Sequence, residues 1–100
     1  MDAWAALADP TRRAIFELVV SEPRAVRDLA EIVPISRPAV SQHLKLLKTA
    51  GLVEDRADGT RRIYRANPEA LRDLRAELDR FWNQALANFK QLVDESQEEK

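Results

Sequence analysis

The stretch Ser36-Arg37-Pro38-Ala39-Val40-Ser41-Gln42-His43-Leu44-Lys45-Leu46-Leu47-Lys48 decides the reading of this chain. Ser36 is a residue that caps helices, and Arg37 and Pro38 fall in the first turn, where proline sacrifices no hydrogen bond. Gly51 follows as a C-terminal glycine, with Lys48 in the last turn beside the negative end of the helix dipole. If Val40, Leu44 and Leu47 face inward, a step of about 100° per residue turns Arg37, Pro38, Ser41, Gln42, Lys45 and Lys48 outward. Arginine can bond guanine and glutamine adenine through paired contacts, serine serves bases or phosphates, and lysines are point charges for the backbone. An ordinary solvated helix face has the same polarity, so the neighbouring segments must decide between the two.

Upstream, Val26, Leu29, Ala30 and Val33 repeat at helical spacing until Pro34 stops the pattern. Two helices joined by the short Pro34-Ile35 connection make a helix-turn-helix over 25–50. Downstream, Leu52 to Arg56 and Arg61 to Ala66 read as short strands around Ala57-Asp58-Gly59-Thr60, whose Asp-Gly pair signals a hairpin. This hairpin, 52–66, is the wing. Alternation puts Arg61, Ile63 and Arg65 on one strand face and Arg62, Tyr64 and Ala66 on the other. Arg61 and Arg62, nearest the tip, are the candidates for phosphate or minor-groove contact, and Arg65 is assigned a structural part.

The flanks complete the pattern. Asp2 to Leu7 is a short helix with Trp4 and Leu7 on one face, and Asp9-Pro10 opens a second. In that second helix Ala14, Ile15, Leu18 and Val19 form the apolar stripe, while Arg12, Arg13 and Glu17 lie off it. Asn67-Pro68 opens a long helix to about residue 95. Its Leu71, Leu74, Leu78, Phe81 and Ala85 alternate in steps of three and four, the seam of a helix that packs lengthwise on another. Ser96 to Lys100 reads as a polar tail.

The net charge of −1 hides an asymmetry. From Ser36 to Arg65 seven bases face three acids, whereas from Pro68 to Lys100 five face eight, so the middle of the chain is +4 and its end −3. With no cysteine, thiolate metal sites have no ligands, and a single histidine, His43, leaves little for an imidazole site. The acidic Asp94, Glu95, Glu98 and Glu99 read as a solvated run. No metal or cofactor is expected. There is no nucleophile–base pair of recognisable spacing and no glycine-rich phosphate loop, so catalytic residues are expected to be none. No apolar run approaches the roughly 20 residues of a membrane span, and Met1-Asp2-Ala3-Trp4 lacks a signal-peptide start, so a cytoplasmic location is expected.

With these residues in place, the run from Ala8 to Ala66 resembles the ArsR/SmtB family of bacterial winged-helix repressors. The resemblance is carried by Ala8-Asp9-Pro10-Thr11-Arg12-Arg13, by Ser36 to Leu44, by Ala50-Gly51-Leu52-Val53 and by Gly59-Thr60-Arg61-Arg62-Ile63-Tyr64. It implies a homodimer paired through first and last helices, and repression by operator occupancy. The family's Cys-Val-Cys metal-sensing motif is replaced by Ala25-Val26-Arg27.

The expectation is therefore one mainly helical winged helix-turn-helix domain over 1–100: four helices, a β-hairpin and a final long helix. Its partner is double-stranded DNA with an inverted repeat. The DNA-facing candidates are Ser36, Arg37, Pro38, Ser41, Gln42, Lys45, Lys48, Arg61 and Arg62. The dimer-facing candidates, on helices 1–7 and 68–95, are Trp4, Leu7, Leu71, Leu74, Leu78, Phe81, Trp82, Ala85 and Phe89. Two alternatives stay open: a winged-helix module that binds protein instead of DNA, and a regulator with a small-molecule effector near Trp4, Phe81, Trp82 and Phe89. His43 is either pH- or ligand-responsive or a neutral residue beside the core.

Overall fold

A computed structural model describes residues 1–98. Its elements run α1 (Ala3–Ala8), α2 (Pro10–Ser21), β1 (Arg24–Ala25), α3 (Val26–Ile32), α4 (Arg37–Thr49), β2 (Val53–Asp58), β3 (Arg61–Ala66) and α5 (Pro68–Glu98).

The helices α1, α2, α4 and α5 each start on a side-chain cap. Asp2 accepts from the Ala5 amide, Asp9 from Arg12, Ser36 from Ala39 and Asn67 from Glu69, which satisfies amides that the first helical turn leaves without partners. The end of α4 is a Schellman motif. The Leu52 amide donates to Leu47 carbonyl (3.0 Å) and the Gly51 amide to Lys48 (2.9 Å), with Gly51 at φ +79°. Leu52 and Leu47 are both fully buried, so the turn that ends the helix also drives the chain back into the core toward β2.

The core is one cluster built around Ile15, Leu29, Val40, Leu44, Leu47 and Leu52, with Ala6, Phe16, Val19, Val33 and Val53. Here α2 departs from its expected stripe. Ala14 is exposed, Phe16 is buried, and Arg12 is only 8% exposed. The Arg12 Nε donates to the Ala6 carbonyl at 2.6 Å. That carbonyl lies in the last turn of α1, where no helical amide reaches it, so the guanidinium completes the end of α1 and meets its negative dipole. A periodicity argument places charge outside by default and cannot anticipate this.

The sheet has three strands in the order β1-β3-β2, all antiparallel, where a two-stranded hairpin was expected. In β1, Arg24 pairs with Tyr64 and Ala25 with Ile63. Two residues are too few to show an alternating pattern. β2 also runs on to Asp58, opposite Arg61, leaving a two-residue Gly59-Thr60 turn. Gly59 at φ +62° stands first in it, the position that favours glycine in a type II′ hairpin turn.

The 31 residues of α5 extend about 46 Å. Only its first turns, through Ala70, Leu71 and Leu74, pack on the core; beyond them the helix projects from a molecule 70 Å long and 26 Å wide. It continues through Ser96 to Glu98, past the expected end near 95, so those residues are helical and not a tail. Glu99 and Lys100 lie outside the described residues.

Leu44 is fully buried at the centre of this cluster. Leu44→Ala is expected to lower unfolding free energy by about 2–5 kcal/mol through lost burial and the cavity left behind, measured by urea denaturation at fixed protein concentration; a loss under about 1 kcal/mol would place the core elsewhere.

Candidate nucleic-acid interface

Because Val40, Leu44 and Leu47 have no exposed surface, the rotation of α4 is fixed. Arg37, Pro38, Ser41, Gln42, Lys45 and Lys48 are all exposed on its other side. Ser36 is exposed too, but its hydroxyl accepts from the Ala39 amide at 3.3 Å and so serves the helix start.

Between the start of α4, the start of α3 and the wing lies an open groove of about 630 Å³. It brings Arg37, Pro38 and Ser41 of the helix together with Arg61 and Arg62 of the wing, and adds Thr60, Tyr64 and Arg27. Gln42, Lys45 and Lys48 lie outside it, farther along α4. Sequence reasoning passed over Arg27, which sits in the first turn of α3 off its apolar stripe; its signal was only that it is one more base beside the turn. Neither Arg27 nor Arg37 has a carboxylate at ion-pair distance among the described residues.

Arg61, Arg65, Lys48 and Arg62 are paired, with unequal strength. Arg61 Nη2 donates to Asp28 Oδ2 at 2.8 Å, and the same oxygen accepts from the Ala25 amide at 3.2 Å. With the two side chains 51% and 44% exposed, this is a surface pair, worth about 0–1 kcal/mol. Arg65 meets its cross-strand neighbour Glu54 at 2.7 Å, a contact within the sheet. Asp55 differs: its carboxylate is 6% exposed and holds Lys48 Nζ at 2.8 Å and Arg62 Nη1 at 3.2 Å. The bond from Lys48 chiefly, and the charges of Lys48 and Arg62, keep the Asp55 carboxyl below its ordinary value despite desolvation pulling the other way. Stripping a cation from a buried carboxylate costs on the order of 3 kcal/mol, less where the cations, as here, reach water.

His43 is half-buried, and its Nδ1 has no hydrogen-bond partner. It stands near Asp9, whose carboxyl is lowered mainly by the Arg12 amide and further by the charges of Arg12 and His43.

A second surface lies on α5. Leu78, Phe81, Trp82, Leu86, Phe89, Leu92 and Val93 are exposed, and together with Ala85 they fall within an arc of about 140° on the helix. Leu71 and Leu74 continue this arc, and with Leu7 they pack on the chain's own core. Trp4, 43% exposed, donates from its indole to Glu77 of α5. Among the described residues no group of three or more histidine or carboxylate side chains is placed to hold a metal; of the acidic run at the chain's end, Glu99 lies outside them.

The model of the bacterial regulatory protein arsR family matches residues 9–55. The chain is 60% identical to the HTH-type transcriptional regulator Rv2034 of Mycobacterium tuberculosis, over 92% of this chain and 86% of that protein. It is 36% identical to the transcriptional repressor SdpR of Bacillus subtilis, over 72% and 80% respectively. A homodimeric winged helix-turn-helix DNA-binding domain from Mycobacterium bovis superposes with a TM-score of 0.66 at 33% identity, covering 81% of this chain and 75% of that one.

The lowered Asp55 carboxyl makes stability depend on pH with a fixed sign. Its contribution is complete above the ordinary value of 3.8 and disappears as pH falls through the depressed one. The wild type is therefore expected to unfold at a higher temperature than Asp55→Asn by a constant margin from about pH 7 to pH 5, and the margin should close below pH 3.8. Thermal unfolding followed by circular dichroism checks this; equal midpoints at neutral pH would mean that the bridge adds nothing.

Proposed function

The chain belongs to the arsR family of bacterial regulatory proteins, and we propose that this DNA-binding transcriptional regulator works as a homodimeric repressor on an inverted-repeat operator. The observation that carries the reading is the groove, in which the exposed start of α4 and the wing arginines line one continuous basic face.

In this reading α4 lies in the major groove. Arg37 and Gln42 address base edges, Ser41 serves bases or phosphates, and Lys45 and Lys48 face the backbone. Pro38 and the capping Ser36 shape the helix start that approaches the DNA. Arg61 leaves the weak Asp28 pair for a phosphate at little cost, and Arg27, unpaired among the described residues, adds a contact from α3, the helix that crosses the backbone in such motifs. Two copies joined through Trp4 and the α5 stripe present two such helices, separated by about 34–36 Å on successive major grooves, which is why the operator should be an inverted repeat. The chain contains no cysteine, so release from DNA cannot run through thiolate metal sensing. No described helix is long and apolar enough to cross a membrane, and a cytoplasmic site of action fits a protein whose ligand is DNA.

Selection of bound DNA from a random pool is the direct test, and an inverted repeat is the expected product. On that site, Arg37→Ala and Gln42→Ala should each cost about 1–3 kcal/mol and relax the sequence preference. Arg27→Ala and Arg61→Ala should weaken specific and random DNA alike and lower the slope of log K against log salt by about 0.9 each. Equal losses on both DNAs from all four variants would refute this division. Failure to enrich any DNA, with capture of a protein partner instead, would favour the protein-binding module.

The dimer has its own test. Phe81→Glu puts a charge in the middle of the stripe and is expected to shift the protein from dimer to monomer in sedimentation velocity at micromolar concentration. A dimer that survives this change would locate the interface elsewhere.

A further inference from the structure

We infer that Asp55, an acidic residue in the middle of a basic face, is a positioning residue that aims the wing at DNA; the inference rests on the DNA-binding reading above. An exposed carboxylate on such a face repels phosphate. Asp55 is instead covered, its side chain 6% exposed in strand β2, and its two oxygens are divided between two elements. One oxygen takes Lys48 from the last turn of α4, and the other takes Arg62 from β3 near the tip of the wing. One carboxylate therefore ties the recognition helix to the wing beside the Gly51-Leu52 connection.

The two cations show how the tie is used. Lys48 and Arg62 are 56% and 60% exposed, so their outer faces are open to solvent. An ammonium has three donors and a guanidinium five. Each can give one to Asp55 and still offer others to a phosphate. A cation that left would give up its pair with a carboxylate whose side chain is only 6% exposed. The trio thus stays assembled on DNA and carries a net charge of one, with its donors already oriented. Asp58 provides the contrast: it is exposed at the wing tip, opposite Arg61 in the ladder, and has no ion pair among the described residues.

This contrast gives an experiment in which charge and positioning predict opposite signs. Asp55→Asn and Asp58→Asn each raise the net charge by one. By long-range attraction alone, both should bind DNA more tightly. Asp58→Asn is expected to do so. Asp55→Asn is expected to bind about tenfold more weakly, on the selected site and on random DNA alike, with a log K–log salt slope reduced by about one to two phosphate contacts. In the free protein, amides of β2 and β3 should exchange with solvent faster in Asp55→Asn than in the wild type. Should Asp55→Asn fail to fold, Arg62→Gln cuts the same tie from the wing side and should show the same faster exchange. Asp55→Asn that folds and binds as tightly as wild type or tighter overturns the inference alone, as does unchanged exchange in Arg62→Gln. Wild-type protein that retains no DNA overturns the DNA-binding reading and this inference with it.

Discussion

Burial of Val40, Leu44 and Leu47 is the constraint on which the rest of the structure depends. A helix offered to a ligand must keep one face bare, and a helix this short has little intrinsic stability to hold it in place. Three fully buried side chains supply that hold, and they fix the rotation of α4, so the bare face is determined by the core. Ser36 and the Schellman turn fix the ends. The same turn buries Leu52, which leads into β2, and the Asn67 side chain donates back to the Gly51 carbonyl as it opens α5. Recognition helix, wing and long helix are in this way hung from one three-residue stripe.

The electrostatics are organised on a finer scale than the charge totals. A chain of net charge −1 presents a basic groove because many of its acids lie on α5 and because Asp28 and Asp55 are engaged by Arg61, Lys48 and Arg62. Engagement comes in two strengths, set by solvent. Asp28 shares its exposed pair with water and holds Arg61 loosely; Asp55, covered, holds Lys48 and Arg62 firmly. Cations of the same kind, neighbours in sequence at Arg61 and Arg62, are therefore unequal in how freely they can reach for a new anion. Alternation along β3 is the reason, since it sends adjacent side chains to opposite sides of the sheet.

Much of this was legible in the sequence because it is written in local signals. Caps, prolines and glycines marked the helix starts, the end of α4 and the wing, and the period of 3.6 identified Val40, Leu44 and Leu47. What escaped was set by partners distant in the chain. β1 exists because β3 is there to pair with it. Arg12 is buried because the end of α1 offers a free carbonyl, and no periodicity in α2 contains that fact. Asp55 read as one of three acids reducing a positive total, whereas its place opposite Tyr64 in the ladder turns it inward beneath two bases. Arg27 joined the groove only once the wing was folded over it. The end of α5 was misread for a different reason: a polar composition resembles a tail, yet a helix already nucleated over many turns extends through polar residues at small cost.

The long helix presents the reverse situation, an element whose own chain does not account for it. Past Leu74 its apolar arc has no cover, and residues as large as Phe81, Trp82 and Phe89 stand more than 60% exposed. Isolated apolar residues on a surface need no explanation, but a continuous stripe of this length does. An arc of about 140° is wider than the narrow seam of a two-stranded coiled coil. It suits contact with more than one neighbouring element, and in the proposed homodimer a second copy would supply two, its own α5 and the α1 that carries Trp4. Trp4 already joins the edge of the arc through Glu77, so α1 and α5 form one surface. On this account the hydrophobic demand of α5 is what sets the distance and symmetry between two copies of α4. In the proposed homodimer the spacing of the DNA site would then be decided by residues that do not touch DNA.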